Sequence, residues 1–266
     1  MKPHFRQLLC LLLTLLMFCL PMTAFAEAEA KAEPAAETTL EESAAEDAAP
    51  SMIEDLLELK WYTVAVLAAL IILALVLYAG ARKTRWDSRR IATAAMCIAI
   101  GYILSCIKLY KMPQGGSITP ASMLPLIAFS VACGPLQGAI VGCAYGMLGQ
   151  LQDPYVIHPI QMLVDYPLAS AALALGGLVR FIPMKKELKL PVAVLLGAIG
   201  RYAMAVLSGT VFFAEYAPVG QSALVYSLIY NISYLGPDTV ICIIIACIPG
   251  ISRIVDIIRG NLKSAR

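Results

Sequence analysis

PYVIHPIQMLVDYPLASAALALGGLVR, residues 154–180, reads as a single helix with a carboxylate and a proline inside it. From His158 to Arg180 nearly every residue is apolar, and at about 1.5 Å per residue the run covers the ~30 Å of a bilayer's hydrocarbon. A carboxylate at the centre of such a helix costs about 2.5–3.5 kcal/mol on insertion scales, and less near the surface. Asp165 is therefore either a ligand-binding group or a structural hydrogen-bonding group to a neighbouring helix. Pro167 should kink the helix and open room beside it.

Working outward, the same apolar character recurs. The chain has 266 residues, 60% hydrophobic and 14% charged, which places it outside the soluble globular range. Spans are predicted at 91–107, 119–133, 135–151, 158–180, 191–214 and 222–249. The fold class is an all-α, polytopic membrane protein, with a six-helix domain over 89–266. Ahead of it, residues 1–26 have the basic start, apolar run and Ala24-Phe25-Ala26 end of a signal peptide. Residues 27–59 hold 11 of the 18 acidic residues and read as a disordered linker. Residues 60–88 supply an extra anchor, WYTVAVLAALIILALVLYAGA over 61–81, and a basic loop.

Lysine and arginine orient the helices. Arg82, Lys83, Arg85, Arg89 and Arg90 follow the anchor, Arg180, Lys185, Lys186 and Lys189 follow the fourth core span, and Arg253, Arg259, Lys263 and Arg266 fill the tail. All three groups fall on one side, which marks it cytoplasmic and sets the mature N-terminus outside.

Counting down each helix from its outer end brings unusual residues to one depth. Asp165 lies ~10 Å below His158, Tyr226 and Asn231 ~6 and ~14 Å below Ser222, and Phe213 and Gly209 ~3 and ~9 Å below Glu215. Tyr155, Tyr166, Tyr216, Tyr230 and Tyr234 are close in sequence to these positions. Aromatic faces around a carboxylate suit a flat organic cation. Arg201 and Asp238 count to ~21 and ~24 Å, well below that cluster, and read as a structural ion pair between the fifth and sixth helices.

Other chemistry is excluded by what is missing. No nucleotide-binding glycine loop occurs, so ATP and dinucleotide cofactors are not expected. The eight cysteines have no metal-ligand spacing, and the histidines are His4 and His158 alone, too few for a catalytic acid-base set. Neither an enzyme nor a metal protein is expected.

Four motifs, KMPQGGSIT, PYVIHPIQMLVDYPLA, SGTVFFAEYAP and YSLIYN, occur in this order across about residues 90–250. Together they closely resemble the thiamine-specific S component of energy-coupling factor (ECF) vitamin transporters; residues 1–88 lie outside the likeness. The resemblance implies a six-helix protein that captures thiamine from outside and has no transport activity alone. Its implied partners are a transmembrane coupling subunit and two ATPase subunits. It implies pocket roles for Asp165, Tyr155, Tyr166, Phe213, Tyr226 and Asn231, the cluster already reached from depth. It also implies that Ala95-x-x-x-Ala99 in the first core helix docks on the coupling subunit. Where the family commonly has a histidine four residues before Gly209, this chain has Ala205. That departure leaves a pyrimidine or thiazole precursor open as substrate.

The stretch KMPQGGSITPASMLP, Lys111 to Pro125, falls outside the membrane above the cluster and reads as a lid, with Gln114 and Ser117 as ligand contacts. Two other classes compete. An autonomous secondary transporter would use Asp165 and Arg201 and carry inverted repeats, which are not found. A membrane-anchored scaffold or sensor would suit the extra helix and acidic linker.

Overall fold

The computed structural model describes residues 86–152, 154–218 and 220–263, and before them the helical residues Ala68, Ile71, Ile72 and Leu75. The expected signal segment, linker and most of the anchor lie outside the described residues.

Helix α1, Ser88–Cys106, starts where the Asp87 side chain accepts a hydrogen bond from the Arg90 N–H at 2.8 Å, a cap that satisfies one of the free amides of a helix start. A hairpin of β1, Tyr110–Lys111, and β2, Ser117–Ile118, follows, with Tyr110 opposite Ile118 and Lys111 opposite Ser117. Then come α2, Leu124–Cys133, α3, Pro135–Gly149, and α4, Pro159–Phe181. Helix α5, Lys186–Phe212, α6, Ala223–Ala246, and α7, Pro249–Lys263, complete the described order.

Helices α1, α4, α5 and α6 are long and apolar enough to cross a membrane. The span expected at 119–133 is different in kind. Its helix begins only at Leu124, because residues 117–118 are committed to the hairpin, and at ten residues it is ~15 Å long. Leu124 and every residue from Leu126 to Ala132 are buried, so α2 is apolar all round for a reason other than lipid. It is the central core helix, packed by α1, α3, α4, α5 and α7. Gly134 ends it at φ +110°, a conformation strained for any residue with a side chain, and Pro135 starts α3 at once.

Helix α4 changes character along its length. Residues Pro159–Leu163 are α-helical, Val164–Leu168 form a π turn, and Leu173–Phe181 tighten into a 3-10 helix. Pro167 has no N–H to donate, and the wider turn absorbs that loss while displacing Asp165 and Tyr166 from regular helical register. Helix α3 lies against this turn so closely that a Cβ on Gly146 would collide with the Tyr166 carbonyl oxygen. Gly138, Gly142 and Gly146 recur every four residues, a pattern that brings helix backbones together.

The basic tail contains an element the sequence reading did not foresee. Helix α7 buries Val255 and Ile258, and the Arg259 Nη2 donates to the Val131 carbonyl at 2.8 Å. Because α2 ends inside the protein, its last carbonyls need protein donors, and Arg259 supplies one. The Lys186–Asp256 pair at 3.8 Å is exposed and contributes little.

Candidate ligand cavity beneath the hairpin

His158 caps α4, its Nδ1 accepting from the Ile160 N–H at 3.1 Å, with Pro159 in the first helical position. One turn in, Gln161 is almost fully buried and forms a fork. Its Nε2 donates to Asp165 Oδ2 at 2.5 Å and to the Tyr155 carbonyl at 3.1 Å, and its Oε1 accepts from the Ile157 N–H at 3.3 Å. Gln161 therefore holds both the carboxylate and the loop in front of it.

That loop carries an aromatic wall. Tyr155 stacks on Phe213 with ring centroids 6.0 Å apart, Phe213 packs on Tyr216 at 5.9 Å, and the Tyr155 and Tyr216 hydroxyls share a 2.7 Å hydrogen bond. The hydrogen bond pushes the Tyr155 phenol up to about 12, so this ring is neutral at physiological pH. The Tyr166 hydroxyl accepts from the Tyr155 N–H at 3.0 Å. On α6, Tyr226, Tyr230 and Tyr234 form a second aromatic ladder with centroid separations of 5.9 and 6.0 Å. The Tyr230 hydroxyl accepts from the Gln114 N–H at 3.0 Å and so ties the hairpin to α6.

Together these elements enclose a cavity of about 180 Å³. Asp165, Tyr166, Asn231, Tyr226, Phe213, Tyr155, Gly209, Gln114 and Ser117 all line it, so the residues singled out from the sequence meet in one place. Ala95 and Ala99 do not; both are exposed on the outer face of α1. Ala205 lines the cavity between Arg201 and Gly209, one helical turn from each.

Asn231 is engaged within the protein. Its Nδ2 donates to the Ser227 carbonyl at 2.8 Å, to Ser227 Oγ at 3.1 Å and to the Ala205 carbonyl at 3.3 Å, and its Oδ1 accepts from the Tyr234 hydroxyl at 2.9 Å. It sets the spacing of α5 and α6 and the tilt of Tyr234.

The expected ion pair between Arg201 and Asp238 is not made, and neither residue lies below the site. Both line the same cavity. Asp238 Oδ1 accepts instead from the Thr119 hydroxyl at 3.0 Å and the Thr119 N–H at 3.3 Å. No ion pair within 4.0 Å joins it to Arg201. Depth counting places a residue along a helix axis, but it does not say how two helices pack; here α5 and α6 approach so closely that a Cβ on Gly209 would collide with Ser227 Oγ, and Ala205 and Gly209 line the cavity beside that contact. Thr119 and Gln161 were missed. Gln161 had a readable signal, since it precedes Asp165 by four residues and shares its helix face.

A protein-family model described as Thiamine transporter protein matches residues 91–256. The thiamine transporter ThiT of Bacillus subtilis (strain 168) is 33% identical over 171 residues, which cover 60% of this chain and 88% of that protein. The thiamine transporter ThiT of Lacticaseibacillus paracasei is 26% identical over 123 residues, 41% of this chain and 61% of that protein. A solved structure of ThiT from Listeria monocytogenes shares the fold, with a TM-score of 0.51 at 20% identity over 65% of this chain and 96% of that one. Because the family model matches more than half of the sequence, the chain belongs to the thiamine transporter protein family.

Proposed function

We propose that this membrane protein is the substrate-binding component of an ECF-type importer and captures thiamine from the outer side of the membrane. The observation that carries this reading is the cavity itself. A carboxylate fixed by Gln161 stands beside stacked, uncharged aromatic rings under a hairpin, which suits a ligand with a permanently cationic thiazolium and a flat aminopyrimidine. Each ring stacked on an aromatic contributes about 0.5–1.5 kcal/mol beyond burial.

In this reading the hairpin covers the bound vitamin and the C-terminus is cytoplasmic. The exposed Ala95 and Ala99 admit close approach by a helix of the coupling subunit, which two ATPase subunits energise. Ala205 supports a second substrate reading, because its small side chain leaves space in which a pyrimidine or thiazole precursor also fits.

Equilibrium binding of labelled thiamine to the purified chain in detergent, with no partner and no ion gradient, tests the proposal. Saturable binding is expected; its absence overturns the reading, and uptake by the chain alone in proteoliposomes would favour an autonomous transporter. Ala95→Trp should abolish thiamine uptake in cells while leaving binding to the purified protein intact. Unchanged uptake rejects the docking assignment.

A further inference from the structure

The end of the bundle opposite the hairpin gathers arginines from three helices on one corner. Gly134, at the turn from α2 into α3, has no side chain, and Arg180 from the end of α4 lies over it, with Nη1 3.2 Å from where a Cβ would stand. Three residues earlier, Arg259 of α7 bonds the Val131 carbonyl at 2.8 Å. Arg90 of α1 reaches the same corner through Gln137, whose carboxamide accepts from Arg90 Nη1 at 3.1 Å and donates to the Cys133 carbonyl at 3.3 Å. The nearby aspartates are committed elsewhere, Asp87 at 3.9 Å from Arg90 and Asp256 at 3.8 Å from Lys186. Among the described residues Arg180 makes no hydrogen bond or ion pair, and Arg259 spends one of its five N–H donors on Val131.

An apolar column leads up to this corner. Residues Leu173–Phe181 form a 3-10 helix, in which side chains three apart eclipse one another, so Leu175, Leu178 and Phe181 stand in a straight line ~12 Å long. In an α-helix the same three would drift by about 60° per step. They are 43%, 39% and 71% exposed, while Gly176 and Gly177 press the other face of the helix onto Ala193 of α5 and Ser130 of α2. The column ends beside Arg180, where the apolar span gives way to basic residues, which is the depth of a phospholipid's phosphate.

Guanidiniums at the end of an apolar column match an amphiphile with an anionic head. A free phosphate would leave the column bare, and a zwitterionic lipid would bring another cation to a corner already rich in them. We infer that the α2–α3 corner and the exposed face of α4 form a binding site for an anionic phospholipid, with its phosphate held by Arg180 and Arg259 and one acyl chain along Leu175, Leu178 and Phe181. The site is at the far end from the ligand cavity and stands whether or not thiamine is the ligand. Such a lipid ties α4 to α7 and should stabilise the fold.

Thermal unfolding of the purified full chain in a neutral detergent tests this, with dioleoylphosphatidylglycerol, dioleoylphosphatidylcholine or inorganic phosphate added. Phosphatidylglycerol should raise the midpoint saturably by about 2–4 °C, and the other two should leave it within about 1 °C. An equal shift with phosphatidylcholine overturns the anionic head, and an equal shift with inorganic phosphate overturns the lipid in favour of a simple anion. Arg180→Gln, at an exposed position bonded to no described residue, should keep the lipid-free midpoint and lose the shift. Arg253→Gln, an exposed position elsewhere on α7, should keep the shift in full. A full shift in Arg180→Gln overturns the site. So does an equal loss in both variants, which would mean general attraction to a basic surface.

Discussion

The cavity end and the closed end of this bundle are made from the same helices and solve opposite problems. The cavity end keeps space open. Ala205 and Gly209 on α5 line a cavity together with Asp165 on α4 and the tyrosines of α6, and hydrogen bonds such as Gln161 to Asp165 fix its polar groups in place. The closed end removes space. Ile127, Phe129 and Val131 on α2 have no exposed surface, and α7 closes the bottom with Val255, Ile258 and Arg259. Helix α4 runs through both, as a π turn where a ligand site is needed and as a tight 3-10 helix where it packs on α2. Binding and stability are thus separated along the helix axes, and substitutions should sort the same way.

The largest expected effect is on affinity alone. Asp165→Asn removes a buried charge from a cationic ligand, a loss of about 2–5 kcal/mol for such a pair, so thiamine binding should weaken at least about tenfold with little change in thermal midpoint. Wild-type affinity in this variant, measured with labelled thiamine, removes Asp165 from the site.

Gly146→Val should break the comparison, because it acts where the halves meet. Its Cβ collides with the Tyr166 carbonyl, which drives α3 off the π turn and costs about 3 kcal/mol of stability. Since Tyr166 also lines the cavity, affinity should fall as well. A variant with normal melting and normal binding would show that α3 and α4 are not packed this closely.

The smallest effect should sharpen the contrast from the other side. Arg259→Leu leaves the Val131 carbonyl without its donor in a buried helix end, at about 1.5 kcal/mol. Thermal unfolding in detergent should shift down while thiamine affinity in the folded fraction stays at the wild-type value. A drop in affinity would mean that the two halves are coupled through α2.

Much of this was legible in the sequence. Apolar runs long enough to cross hydrocarbon specify helices with little ambiguity, because a backbone in lipid has to bond to itself. Asp165 stood out because a carboxylate inside such a run is expensive, and the motifs around it carried the family. The hairpin's register was not legible, since Gly115 and Gly116 mark a turn but not the pairing of Tyr110 with Ile118. Helix α7 was read as a charged tail, because short polar segments gain their helicity from what they pack on and its apolar face meets α2 only after folding.

The sequence by itself determined that this is a helical membrane protein and where along each helix its polar residues stand. Only the tertiary structure decided which of those residues meet. Position along a helix follows from a fixed rise per residue, whereas a contact between helices depends on how closely their axes approach and which faces turn inward. Glycine and alanine set the first and the π turn sets the second. For that reason α2 is a core element where a membrane span was expected, Asn231 is bonded within the protein, and Arg201 and Asp238 share the ligand cavity without pairing.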